Sequence, residues 1–138
     1  MNTDETRTLI KRYYAALTTG DRDTVAELVA DECVWIPPAS APFGRVEGGA
    51  AVVAELTGDT VKRTFDLEQP FAVEVRPKMI VDGDTAVVQQ RIKATAKETG
   101  SAYDNEYCWI YTCSNGKITS MEEYADTVVA AKAMGWDL

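Results

Sequence analysis

The stretch Tyr103–Asp126, YDNEYCWIYTCSNGKITSMEEYAD, constrains the fold more than any other part of the chain. It has the pattern of a β-hairpin. The arm before the turn is dense in aromatic and β-branched residues (Tyr107, Trp109, Ile110, Tyr111, Thr112), which suit a pleated, half-buried surface. Asn115-Gly116 supplies the turn, because both residues tolerate the positive φ of a tight hairpin connection. By the period of two, Asn105, Tyr107, Trp109 and Tyr111 share one face, and Cys108, Ile110 and Thr112 share the other. Both faces carry apolar groups. Such an arm belongs inside a curved sheet, with a pocket on one side and a partner surface on the other. The Tyr107–Trp109 face is the expected wall of a binding site.

The rest of the chain fits around that hairpin. Thr3 followed by Asp4 and Glu5 reads as a helix start. Leu9, Ile10, Tyr13, Tyr14 and Leu17 then make one apolar stripe at helical spacing, and Gly20 stops it. Asp21 caps a shorter helix carrying Val25, Leu28 and Val29. Cys33–Ile36 reads as a short strand. The prolines at 37, 38 and 42 remove ladder donors, so this segment is expected to form a rim or lid. Gly48-Gly49 opens a third helix with Ala51, Val52 and Leu56 inward.

From Phe65 the pattern turns to strand, with Pro70 and Pro77 marking an edge, bulge or bend. In Thr85–Lys97, Ala86, Val88, Ile92, Ala94 and Ala96 share a face that Gln90 interrupts. A terminal helix follows Asp126 and stops at Gly135. Helices gathered on one side of an antiparallel sheet define an α+β domain. A curved sheet wrapped around the first helix makes a cone with a pocket at its open end. The length suits a single domain over 1–138.

Several function classes are excluded. The formal net charge is −8 with no Lys/Arg cluster, so nucleic acid and anionic membrane surfaces are poor partners. No apolar run approaches the roughly 18 residues of a spanning helix, and the start MNTDETRTLI lacks signal-peptide features, so a cytoplasmic location is expected. There is no histidine, which removes the commonest general base and metal ligand. Cys33, Cys108 and Cys113 are odd in number and form no CxxC, so they read as buried thiols. Neither a metal nor any other cofactor is expected.

The segment RYYAALTTGDRDTVAELVADECVWIPPASAPFGRVEG, the DG and NGKI turns and the EEYAD ending resemble the nuclear transport factor 2-like superfamily, close to ketosteroid isomerases and SnoaL-like polyketide cyclases. The resemblance implies a cystatin-like, cone-shaped barrel, commonly dimeric through the outer face of the sheet, with a deep apolar pocket. It also implies roles. The oxyanion tyrosine of the isomerases matches Tyr13, but their aspartate base falls on Ile36 and their protonated aspartate falls near Cys108 or Asn105. That argues against steroid isomerisation. The general acid/base aspartate of the cyclases matches Asp126.

The candidate residues each carry two readings. Tyr13 and Tyr14 stand 100° apart on a helix, so both cannot point into the pocket centre, and either is core or ligand contact. Tyr107 and Trp109, with Asn105, make an apolar wall with polar tips suited to a flat organic molecule. Trp35 lies where a pocket would be deepest. Gln90 is a pocket donor or a satisfied polar group at an interface. Glu122, Glu123 and Asp126 read as a solvated strand end, with Asp126 either a buried acid or a helix cap.

The expected function is binding of a small hydrophobic or aromatic molecule by a homodimer, extending to cyclase- or isomerase-type proton transfer on a carbonyl compound through Asp126. The alternatives are a non-catalytic ligand-binding or interaction module, and epoxide hydrolysis, for which Arg91 with Asp126 is a partial match.

Overall fold

The computed structural model describes residues 1–137. Helix α1 (Thr3–Thr19) and α2 (Arg22–Leu28) lead into β1 (Val29–Ile36) and a short β2 (Val46–Glu47). Next come α3 (Gly49–Ala54), a π-turn at Glu55–Asp59 and α4 (Thr60–Thr64). The long strands β3 (Ala72–Asp82), β4 (Thr85–Thr95), β5 (Ala102–Ser114) and β6 (Lys117–Ala125) follow, and α5 (Thr127–Met134) ends the fold. The strands form one six-stranded sheet in the order β2-β1-β6-β5-β4-β3. Every pairing is antiparallel except β1 with β6. The sheet curves over α1 but stays open, so it is a cone wall rather than a closed barrel.

Local chemistry explains most boundaries. The cap of α1 is Asn2, not Thr3: Asn2 Oδ1 accepts from Glu5 N while Glu5 Oε2 accepts from Asn2 N, a reciprocal capping box. Thr3 Oγ1 instead accepts from Gly83 N at 2.9 Å, tying the helix start to the β3–β4 turn. Asp21 caps α2 as expected, accepting from Thr24 N. Asn115 (φ 52°) and Gly116 (φ 76°) make the β5–β6 turn, as the Asn-Gly pair predicts. The third helix is shorter than expected, because Gly58 at φ 147° breaks it into α3 and α4. Pro77 falls inside the register shift between Val75 and Met79 of β3, a bulge where a missing N–H is tolerated.

The core lies between α1 and the concave face of the sheet. Leu9, Ile10, Tyr13, Tyr14 and Ala16 of α1 pack on Val88, Trp109, Tyr111 and Met121. Each large apolar side chain buried there contributes roughly 1.5–3 kcal/mol. Gly49 permits α3 to sit close against β1, since a Cβ at that position would lie 2.3 Å from Ala30 O. A second cluster, with Phe65, Tyr103, Ala130 and Ala133, joins α5 to the far end of the sheet. Members of both clusters, among them Tyr13, Trp109, Phe65 and Tyr103, border an open space. That space is the cavity described next. Among the described residues no helix is long and apolar enough to cross a membrane.

Candidate functional site

The concave face of the sheet, α1, the α3–α4 segment, α5 and the proline loop enclose a cavity of about 1020 Å³. Alternation along β4 and β5 builds its wall. Gln90 and Ile92 point inward from β4, and Tyr103, Tyr107, Trp109 and Tyr111 point inward from β5. The proline loop contributes Pro38, Pro42 and Phe43 to the cavity lining. Phe43 bridges Trp35 and Trp136 with ring centroids 6.2 and 6.1 Å away.

Of the residues expected from the sequence, Tyr13, Tyr14, Trp35, Gln90, Tyr107 and Trp109 all line this cavity. Both neighbouring tyrosines of α1 reach it, against the expectation that they exclude one another. They do so from different depths: Tyr13 hydroxyl donates to Met121 Sδ at 3.9 Å, while Tyr14 and Tyr111 share a hydroxyl–hydroxyl bond of 2.5 Å. Asn105 is on the inward face but buried beside the cavity without lining it. Its amide donates to Tyr103 hydroxyl at 2.8 Å and to Asp126 O at 3.0 Å.

Asp126 is placed outside the cavity lining. It is exposed and caps α5, with Oδ1 accepting from Val128 N at 3.1 Å and Val129 N at 3.2 Å. Arg91 does not meet it either. Arg91 lies on the convex face and holds Asp104 in a two-pronged bond at 2.7 and 2.6 Å, which keeps the Asp104 carboxyl below its ordinary range. The Arg91–Asp126 cluster expected for epoxide hydrolysis is therefore not formed.

The carboxyl desolvated inside the cavity is Glu123, which the sequence pattern groups with the solvated strand end. It stands on β6 opposite Trp109, and its Oε1 accepts from Trp35 Nε1 at 3.1 Å. The exposure it keeps faces the cavity and a smaller cleft under Ile36–Ser40. Burial among aromatic rings disfavours the charged form and pushes its carboxyl up from 4.5 to about 7, although the Trp35 hydrogen bond pulls the other way.

What turns Glu123 inward is a bulge. The turn sets Ser114 opposite Lys117 and Cys113 opposite Ile118, but Thr112 faces Ser120. Thr119 is the extra residue, and its hydroxyl donates to Thr112 O at 3.1 Å. An unbroken register would place Glu122 opposite Trp109. One inserted residue exchanges the faces and brings in Glu123 instead.

Four tyrosine hydroxyls of the lining form two pairs, Tyr14 with Tyr111 and Tyr103 with Tyr107. Burial raises all four above the ordinary phenol range, and the nearby Glu123 charge adds to that at Tyr103, Tyr107 and Tyr111. Two hydroxyls sharing one hydrogen bond leave one proton per pair to donate onward. Cys33 and Cys113 are free and buried, each pushed up to about 11 mainly by burial. No group of three or more His, Cys, Asp and Glu side chains is arranged to hold a metal ion among the described residues.

An open, curved sheet folded over an N-terminal helix, with a deep cavity at its wide end, defines the nuclear transport factor 2-like class. Residues 10–121 match the SnoaL-like domain family, and the chain belongs to it. Among solved structures it is similar to a nuclear transport factor 2-like protein from Burkholderia xenovorans LB400 (26% identity, 97% of this chain and 98% of that chain, TM-score 0.78). It also shares its fold with a protein from Jannaschia sp. CCS1 assigned to the SnoaL-like polyketide cyclases (18% identity, 99% and 95% coverage, TM-score 0.76). A third similar structure is an LEH-like epoxide hydrolase of M. tuberculosis (20% identity, 96% and 90% coverage, TM-score 0.68). No curated protein matches the chain by sequence.

Proposed function

We propose that the cavity binds a small, largely apolar aromatic molecule, and that Glu123 rather than Asp126 is its proton-transfer group. The observation that carries this is a carboxyl desolvated among aromatic rings, held near neutrality by that burial and fixed in orientation by the Trp35 indole. A base poised near the working pH is half ionised there, which is the condition for efficient general acid–base catalysis. The reaction that fits is proton abstraction next to a carbonyl. The Glu123 carboxylate takes the proton from carbon, the electron pair moves onto the carbonyl oxygen, and a tyrosine pair donates its free proton toward that oxygen. In a β,γ-unsaturated ketone, return of the proton from Glu123 to the far carbon of the conjugated enolate completes an isomerisation; alternatively the enolate carbon attacks a second carbonyl and Glu123 returns its proton to the new alkoxide, which completes a ring closure. Neither needs a cofactor.

The convex face supports a homodimer in the same proposal. Ile80, Val87 and Ile110 form an apolar row across β3, β4 and β5, with Cys108 and Tyr124 beside it. Ile80 is 58% exposed and Tyr124 is 52% exposed in the single chain. The charged Arg76, Arg91, Asp104 and Glu106 network flanks this patch and would form its polar rim.

The test is hydrogen exchange on a simple enolisable bicyclic ketone. 2-Tetralone in deuterium oxide is incubated with the protein and its α-protons are followed by NMR. The proposal expects exchange above the buffer rate that rises with pH through about 7, with Glu123→Gln losing on the order of 10²–10⁴ of it. Binding of the ketone with exchange at the buffer rate would replace the enzyme by a non-catalytic ligand-binding module.

A further inference from the structure

The polar groups of the cavity are not spread evenly, and one of them is unmet. Gln90 is 8% exposed and lines the cavity, yet its amide has no hydrogen-bonding partner among the described residues. A buried amide without a partner is unfavourable, since it carries two donors and an acceptor. The amide is not sealed in, either. The fully enclosed polar side-chain atoms without partners are Thr6 Oγ1 and Trp109 Nε1, and neither belongs to Gln90. The Gln90 amide therefore faces the lumen.

The strand register fixes where this second polar group stands. Gln90 faces Tyr107, which faces Ala125, while Val88 faces Trp109, which faces Glu123. Gln90 thus lies two strands across and two residues along from Glu123. At about 4.8 Å per strand and about 3.4 Å per residue, the two Cα atoms stand roughly 12 Å apart. The rings of Tyr107 and Trp109 floor the space between them. A hydrogen bond of about 2.9 Å at each end, running partly along the line between them and partly off it, leaves a ligand whose polar atoms lie roughly 6–8 Å apart.

Charge narrows the class further. The one cation among the described lining residues is Arg63, and Glu55 holds it at 2.6 Å. The other charged lining residues, Glu98, Glu123 and Asp137, are acidic. An anionic ligand would meet repulsion with no free cation to offset it.

We propose that the cavity selects an uncharged, flat, two-ended molecule of bicyclic size with an oxygen at each end, one placed at the Glu123 end of the cavity and the other met by Gln90. Gln90 is then a specificity-determining residue. This rests on the assignment of the cavity as a ligand site. The probes are naphthalene-2,6-diol, 2-naphthol, naphthalene and 6-hydroxy-2-naphthoate, with dissociation constants measured by calorimetry at pH 8 on the wild-type protein, Gln90→Leu and Gln90→Met.

The expected result is about tenfold tighter binding of the diol than of 2-naphthol by the wild type, the scale of one added hydrogen bond. Both variants should bind the two compounds equally while keeping their 2-naphthol affinity, and the naphthoate should bind more weakly than the diol. Equal binding of diol and 2-naphthol by the wild type overturns the two-ended ligand while leaving the cavity a ligand site, and needs no variant to fold. A diol preference that survives in either folded variant removes Gln90 from the role, and naphthoate binding as tight as the diol removes the charge selection. Failure of all four probes to bind overturns the ligand site itself.

Discussion

Replacing Glu123 by Gln should make the protein more stable in alkaline solution and remove a specific part of its pH dependence. Burial holds this carboxyl at about 7 in the folded state against 4.5 in its ordinary range. Below pH 4.5 both folded and unfolded states keep the proton and the residue costs nothing. Between about 4.5 and 7 the unfolded chain releases its proton while the folded chain retains it, so stability falls as pH rises. At about 1.4 kcal/mol for each pH unit of that window, the fold loses about 3 kcal/mol by pH 8. Glutamine keeps an oxygen to accept from Trp35 Nε1 and cannot ionise. The stability difference between Glu123→Gln and wild type should therefore grow by about 3 kcal/mol from pH 4.5 to pH 8, or about 10 °C in Tm for a chain of this length. Urea unfolding at half-unit pH steps measures it. The carboxylates whose partners hold them low, such as Asp21, Glu55 and Asp104, lose their contribution at lower pH and cancel in the difference. A difference that stays constant across the range would refute the desolvated carboxyl.

Other substitutions separate the roles assigned above. Asp126→Asn should be silent to within about 0.5 kcal/mol because asparagine caps as well as aspartate, whereas Asp126→Ala should cost about 1 kcal/mol; a large loss of ligand binding or exchange in Asp126→Asn would return the catalytic role to that residue. Tyr14→Phe and Tyr111→Phe should each cost about 1–3 kcal/mol in urea unfolding by orphaning the other hydroxyl, while the double variant should cost less than the sum; additive effects would mean the pair is not coupled. In sedimentation the protein should run as a dimer at micromolar concentration and Ile80→Lys should run as a folded monomer; a monomeric wild type would remove the convex face as an interface.

Much of this architecture is legible in the sequence, and the limits are physical. The Asn-Gly turn, the glycine stops after α1 and α5 and the inward row Tyr107–Trp109–Tyr111 depend on local backbone preference and a period of two, both readable without knowing the fold. Gln90 is readable as the polar break in an apolar face. The cavity carboxyl is not readable in the same way. Extending alternation from the turn selects Glu122, family likeness selects Asp126, and the bulge at Thr119 selects Glu123. A bulge is set by how the twisted strand packs over the helices, and no residue type announces it. Asn105 fails for a related reason: its face is right, but its amide is occupied in joining Tyr103 to the start of α5.

The central claim is that Glu123 is a desolvated carboxyl poised near neutrality inside the cavity. The direct measurement is a ¹³C-carboxyl NMR titration of the free protein, with the Glu123 resonance assigned through Glu123→Gln. A midpoint near 7, well above the other glutamates, is the predicted result. A midpoint at or below the ordinary glutamate value of about 4.3 would mean the carboxylate is solvated, and would contradict both the chamber and the proton-transfer role.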